Sequence, residues 1–434
     1  MTWRTYVGFG LGAIQSGLFL YEAFQSKGYK RLVIAEVIPD IVRSVRENGG
    51  YITVNIALSH AIQSSRIGPI EIFNPLDDSD RQELIKAISD AHEIGTAVPG
   101  TQFYCSPGPE SLSRILAAGL QAKSRKHGPG VIIYTAENNN RAAEILEELV
   151  LAEIPSAEQQ SICRLVRFIN TVIGKMSGVI RDAGDIEALK LIPITPDSDR
   201  AFLVEAFNHI LISQISPGEE SEEFTFSRGM MTFIEKSDLL PFEEAKLFGH
   251  NATHALAAYL GALFSIQRIA DFPSLPGADK YLRQTFITES GAALIHRYSG
   301  IDPLFTLEGF TTYADDLLAR MYNPWLNDKI ERVARDVERK LGWDDRLVGT
   351  LRLGIAEGIV PRRFALGAAA ALAFLDHSFL INNADPANCL LSIWKDKQRD
   401  SSEEENVLAL IRDGMDGLRQ WYSSRPGISQ ALFT

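Results

Sequence analysis

Cysteine is scarce in this chain: Cys105, Cys163 and Cys389 are its whole complement, odd in number and far apart. With no CxxC pair, neither a disulfide framework nor a cysteine-rich zinc site is expected, and a reducing cytoplasm is the expected setting. Long basic runs are also missing. Acidic residues outnumber basic ones, 55 against 43, for a net charge of −12. Nucleic-acid binding depends on a Lys/Arg-lined surface, so it is not expected. Nor is there an apolar run of the roughly 20 residues that a membrane span requires. The nearest candidate, residues 6–21 (YVGFGLGAIQSGLFLY), is broken by Gly8, Gly10, Gly12 and Gly17. No small-residue cleavage site follows it, so it reads as a buried strand entering a helix, with no membrane partner.

What is present is an ordinary soluble composition, 45% hydrophobic and 23% charged over 434 residues, a length that favours two domains. The first 150 residues or so alternate short β-rich runs with helical periodicity. Strands are expected at Arg4–Phe9, Lys30–Val37, Ile94–Val98 and Gly130–Thr135, and helices at Ile14–Lys27, Asp80–His92 and Pro109–Ser124. That alternation implies a parallel sheet with helices on both faces. The stretch 217–228 (PGEESEEFTFSR) has linker composition. Beyond it the chain reads as helices: Pro241–Ile269, Ala278–Tyr298, Thr311–Met321, Asp328–Leu341, Asp344–Ala356, Arg362–Asn382 and Glu403–Tyr422. The expected division is therefore an α/β domain over 1–225 and a mainly α-helical domain over 226–434.

Gly8, Gly10, Gly12 and Gly17 lie between the first strand and the first helix, where a phosphate cradle belongs. Side chains there would keep a pyrophosphate from the backbone N–H groups, and the helix N-terminus adds partial positive charge. The order strand, glycines, helix, strand makes this a Rossmann-type dinucleotide signature. Glu36, at the end of the second strand, can accept from ribose hydroxyls and would repel a 2′-phosphate, which favours NAD over NADP. Gly10, Gly12, Ile14, Gln15 and Glu36 are the expected cofactor residues of this stretch.

The densest set of functional groups is Lys246, His250, Asn251 and His254. On a helix 246, 250 and 254 share a face, with Asn251 beside it. Oxidising a secondary alcohol needs a base for the hydroxyl proton, donors for the developing alkoxide and a hydride acceptor. A lysine serves as the base if burial lowers its pKa; an amide and an imidazole supply hydrogen bonds. Two other readings compete on spacing alone: a solvated polar face, and a zinc pair formed by His250 and His254. The latter lacks the glutamate of HExxH and a third ligand.

At these residues the sequence resembles the polyol-specific long-chain dehydrogenase family, which carries a K-x(4)-N-x-x-H signature. It is most similar to the branch that interconverts mannitol 1-phosphate and fructose 6-phosphate. Further matching stretches follow in order: Thr96-Ala97-Val98, Glu137-Asn138, Glu289 to Tyr298, Asn323-Pro324, and the run Glu331 to Leu347. The resemblance covers about residues 5–380. It implies an NAD-binding Rossmann-type domain joined to a helical substrate domain, with the active site in the cleft between them. It further implies Lys246 as general base, Asn138 and Asn251 as the oxyanion pocket, His254 orienting the substrate, Thr96 and Val98 at the cofactor, and no metal. Two positions depart from the family pattern: Gln15 replaces the third glycine, and Gly174-Lys175 replaces an Asp-Arg pair.

A phosphorylated substrate needs fixed cations. Arg332, Arg335 and Lys340 are the expected phosphate residues, within a cluster that also holds Arg339 and Arg346, with 332, 335 and 339 forming one helical stripe. A salt-bridged solvent face is the competing account. A free polyol or a uronate is the alternative substrate within the family, and a non-catalytic dinucleotide-binding regulator is the alternative class. Monomer and dimer are equally compatible with the sequence.

Overall fold

The computed structural model describes residues 3–215, 226–424 and 432–433, so part of the expected linker, 217–225, lies outside the described residues. The chain divides into two compact units, Met1–Leu240 and Pro241–Thr434. The sheet of the first unit reaches further than the linker composition suggests, because Phe233–Lys236 forms a strand that pairs with Ile210–Ser213. The division therefore falls later than 225.

Among its described residues the first unit holds twelve strands: β1 (Arg4–Phe9), β2 (Tyr29–Ala35), β3 (Ile52–Ala57), β4 (Ile62–Ile67), β5 (Glu71–Phe73), β6 (Glu93–Thr96), β7 (Val131–Thr135), β8 (Val166–Val172), β9 (Ser177–Ile180), β10 (Ala201–Glu205), β11 (Ile210–Ser213) and β12 (Phe233–Lys236). Eight of them form one sheet in the order β12-β11-β8-β7-β6-β1-β2-β5. It is parallel from β5 to β8, while β11 runs antiparallel to β8. Near-continuous apolar runs such as VIIYT in β7, buried at every position, are what a sheet covered on both faces demands.

Helices Asp78–Asp90, Leu112–Arg125, Ala142–Ala152 and Ser156–Leu165 cover one face through Leu84, Leu116, Leu146 and Ile162. Asp77 starts the first of these by accepting the N–H groups of Ser79 and Asp80. The other face corrects the expectation of helices alone. The helical stretches Gln15–Gln25 and Pro39–Glu47 share it with a second sheet of order β4-β3-β10-β9. Gly17 makes that packing possible, since a Cβ there would stand 2.5 Å from Val204 of β10. Strand order reverses between β1 and β6, and open α/β sheets bind ligands outside the C-terminal ends of the strands at such a reversal.

The second unit is helical. Leu240–Leu263 runs as one continuous helix whose middle, Ala245–Asn251, widens into an i→i+5 turn. Ala252–Leu263 is its C-terminal half, buried on nearly every side, with Ala255, Leu256, Ala258, Tyr259 and Leu260 all enclosed. Tyr259 also donates its hydroxyl to the Ala334 carbonyl at 3.0 Å. The expected helix Asp328–Leu341 is instead two short helices, Ile330–Ala334 and Val337–Lys340. Asp336 takes a left-handed conformation, φ 57°, and breaks the run. Arg332, Arg335 and Arg339 therefore do not form one helical stripe. Helix Arg362–Leu375 ends at Asp376, before the expected Asn382.

Candidate active site

In the first unit the loops after β1 and β6 meet at the strand-order reversal. Gly10 has φ +82°, and a Cβ on it would stand 2.9 Å from the Ala97 carbonyl oxygen, so only glycine fits. Gly12, by contrast, faces open space. These residues line a cavity of about 560 Å³, together with Leu11, Glu36, Val37, Ile38, Val98 and Phe103 among others. Glu36 is buried at its rim and grips the loop. One carboxylate oxygen accepts the Leu11 N–H at 2.7 Å, and the other accepts the Ile38 N–H at 2.9 Å. A cradle emptied by glycine, with an acidic group beside it, fits a dinucleotide.

Of the residues expected at the cofactor, Gly10, Gly12, Glu36 and Val98 line the cavity. Three others turn elsewhere. Gln15 is fully buried and its side chain donates to the Tyr6 hydroxyl at 2.6 Å, filling the space over Gly8 and turning away from the cavity. Ile14 packs against the core. Thr96 is buried and donates to Glu137 at 2.9 Å. That Glu137 carboxylate also accepts the Val98 N–H at 2.9 Å and the Tyr104 hydroxyl, fixing one wall of the cavity. Asn138, the next residue, is exposed just past the end of β7. Lys175 donates to the Phe207 carbonyl and to Asn208 Oδ1 at 2.9 and 2.6 Å, which anchors the departure from the family pattern in structure. Arg181 and Arg200, which the sequence reading left out, also line the cavity; nothing in their local sequence distinguishes them from surface arginines.

In the second unit the wide turn Ala245–Asn251 changes the geometry of the polar face. A wide turn holds more residues than an α-helical one, which brings Asn251 nearer to the face of Lys246 than α-helical spacing would; such turns recur at functional sites. Lys246 is half-buried. Desolvation, and then the positive charge of Arg346, lower its pKa to about 8 against the opposing pull of Glu243. His250 is buried, and burial first, then Arg320 and His254, push its pKa well below the usual imidazole value. His254 lies one turn on, its Nε2 2.8 Å from Asp328 Oδ2. The two imidazole rings are 6.3 Å apart. Among the described residues no three His, Cys, Asp or Glu side chains gather as a metal-ligand set.

The expected phosphate residues are otherwise engaged. Arg332 binds Asp328 Oδ1 through Nη2 at 2.5 Å and Nε at 3.1 Å. Lys340 is buried, its amine donating to the Val333 carbonyl at 2.6 Å and to the Arg335 carbonyl. Arg335 is exposed, with its Nε 3.3 Å from the Arg332 carbonyl. The cations that act on Lys246 or His250 are instead Arg346 and Arg320. Arg346 sat in the basic run but outside the helical stripe, and Arg320 sits in another helix with no motif to mark it.

Comparison with known proteins places these features in a family. Residues 4–213 match the profile described as the mannitol dehydrogenase Rossmann domain, and residues 238–420 match the mannitol dehydrogenase C-terminal domain. The mannitol-1-phosphate 5-dehydrogenase of Bacillus licheniformis is 31% identical over 84% of this chain and 86% of its own length. That of Exiguobacterium sibiricum is 30% identical over 86% of each. Among solved structures, mannitol 2-dehydrogenase from Pseudomonas fluorescens, in ternary complex with NAD and D-mannitol, superposes with a TM-score of 0.72 at 16% identity, covering 98% of this chain and 95% of the other. A D-sorbitol dehydrogenase in substrate-free form gives 0.71 at 16% identity, covering 95% and 94%.

Proposed function

The chain belongs to the mannitol dehydrogenase family of NAD-dependent oxidoreductases, and on that premise we propose that it interconverts mannitol 1-phosphate and fructose 6-phosphate with Lys246 as a metal-free general base. The observation that carries this reading is the wide turn that sets Lys246 under the charge of Arg346, near the face of Asn251 and about two turns from His254.

A lysine with a pKa of about 8 is neutral in an appreciable fraction of molecules near neutral pH and can take the proton of a secondary hydroxyl. In the reductive direction the same amine, protonated, returns it. Asn251 and Asn138 are assigned as amide donors to the developing alkoxide, and His254 as the group that hydrogen-bonds a neighbouring substrate oxygen. Gly10, Gly12, Glu36 and Val98 would hold NAD, which when bound accepts or supplies the hydride. The phosphate is assigned to Arg346 and Arg320, because their charge acts on Lys246 and His250, although Arg346 also pairs with Asp345 at 2.8 Å and Arg320 with Asp316 at 2.9 Å; Arg335 is a third cation at the surface.

A kinetic panel tests the proposal: mannitol 1-phosphate, fructose 6-phosphate, mannitol, fructose and uronates, each with NAD and NADP cofactors. The expected result is a clear preference for the phosphorylated pair with NAD. Preference for an unphosphorylated polyol or a uronate would overturn the substrate. Turnover abolished by chelators would overturn metal independence.

A further inference from the structure

Asp328 has one of the most deeply buried carboxylates in the helical unit, at 4% exposure, and it stands between two cationic or protonatable groups. Arg332 grips Oδ1 with two nitrogens, at 2.5 and 3.1 Å. That leaves Oδ2 aimed at the imidazole of His254, 2.8 Å from Nε2. The backbone is pinned as well. The Asp328 carbonyl accepts the Ile269 N–H at 2.9 Å, Ile330 donates to the Gln267 carbonyl at 2.9 Å, and Lys329 pairs with Arg268 in an antiparallel bridge. A carboxylate held by its main chain and by an arginine fork cannot swing away from the ring.

We propose that Asp328 is the positioning residue of His254: it accepts the Nε2 proton, fixes the imidazole tautomer, and leaves Nδ1 to meet the substrate oxygen. The inference rests on the reading of His254 as a substrate-orienting group. It also gives Arg332 a part, as the clamp on the carboxylate instead of a ligand of the substrate phosphate. Burial opposes ionisation of Asp328, but His254 and Arg332 outweigh it and hold the carboxyl below its usual range, so an acceptor is present throughout the neutral region. At 2.8 Å the His254–Asp328 contact is at an ion-pair distance, but neither Nε2 nor Oδ2 makes an aligned hydrogen bond in this state. Hydrogen bonds of this kind commonly align only when substrate is bound.

Buried orienting carboxylates work by fixing which ring nitrogen carries the proton. Replacing the carboxylate with an amide of the same shape presents a donor where an acceptor stood, and the ring must change tautomer. The test uses the full-length enzyme with Asp328→Asn, His254→Asn and the double variant, measured for fructose 6-phosphate reduction, NADH affinity and imidazole nitrogen chemical shifts. The signals of His254 are those lost in His254→Asn. Asp328→Asn is expected to lower kcat/KM about 10–100-fold, the usual scale for a group that orients a functional side chain. NADH affinity should stay within about twofold, and the double variant should be no worse than His254→Asn. In the unaltered enzyme neutral His254 should carry its proton on Nε2, a reading that needs no folded Asp328 variant. An Nδ1–H tautomer there, or losses that simply add in the double variant, would overturn the proposal. If His254→Asn keeps full turnover, the orienting role of His254 falls and this inference with it. If His254→Asn is impaired and Asp328→Asn is not, only this inference falls.

Discussion

The carboxylate of Glu36 accepts the backbone N–H of Leu11 at 2.7 Å, so the residue just past β2 holds the glycine loop that follows β1. Its other oxygen holds Ile38. Glu36 therefore both shapes the loop and charges the cavity beside it. Charge-assisted hydrogen bonds contribute about 1.5–3 kcal/mol. Glu36→Ala is expected to raise the Kd for NADH at least about tenfold, since ~1.4 kcal/mol corresponds to that factor. It should also narrow the preference for NADH over NADPH by removing the charge that repels a 2′-phosphate. Fluorescence titration with both cofactors reads the two effects. An unchanged NADH/NADPH ratio would leave Glu36 with the loop-holding role alone.

Gly10 cannot be replaced quietly. At φ +82° an L side chain is strained, and its Cβ would meet the Ala97 carbonyl at 2.9 Å. Gly10→Ala is expected to push the loops after β1 and β6 apart and weaken NADH binding by about tenfold or more, with a strain cost of roughly 1–3 kcal/mol. Wild-type NADH affinity in the variant would contradict the geometry of the cradle. Gly12, which faces open space, should accept alanine with less loss unless bound cofactor fills that space.

The pH dependence of turnover follows from Lys246. Below a pKa of about 8 the amine is protonated and cannot act as base; above it, it is neutral. Oxidation of the alcohol should therefore rise with pH through about 8 and level off, while reduction of the ketose should fall through the same window. Lys246→Met should cut both directions by about 10²–10⁴, remove this inflection and leave NADH binding intact. A variant that retained the inflection would show that another group titrates. Because Arg346 helps depress the lysine, Arg346→Gln should move the inflection to higher pH in addition to weakening a phosphorylated substrate.

Lys340 illustrates how a basic residue in a matching motif can belong to the fold. Its buried amine satisfies the carbonyls of Val333 and Arg335, across the break between two short helices. Lys340→Met is expected to lower stability by about 1–3 kcal/mol, the cost of buried acceptors left without a donor. The KM for the phosphorylated substrate should change little. A large rise in KM without loss of stability, measured by urea unfolding beside the kinetics, would return Lys340 to the substrate.

Much of the architecture was legible from pattern. β1 was expected at the residues where it forms, and the helix carrying Lys246 was located, though not the wide turn within it. Periodicity works there because the runs are long and their buried sides continuous. The second sheet was not legible. Its strands are short, and β4, IQSSRI, is too polar to announce itself. Helical spacing also overstated the basic stripe: nothing local in ERVARDVERK signals that Asp336 turns left-handed and ends the helix.

Two side chains acquired meaning only from packing. Gln15 reads as an altered phosphate contact, yet the side chain turns inward to Tyr6. Asp328 reads as one more acid among arginines, yet it is buried against His254.

The sequence by itself supplied the candidate groups: glycines that admit a dinucleotide, an acid past the second strand, and a lysine, asparagine and histidine close together on a single helix. These are local properties, set by residue type and by how far apart residues sit on a single element. Only the tertiary structure decided which cations face that chemistry. Burial and backbone breaks are set by the fold: the break at Asp336 lets Lys340 reach the Val333 and Arg335 carbonyls, Arg332 closes on the buried Asp328, and Arg346 and Arg320, distant in the chain, act on Lys246 and His250.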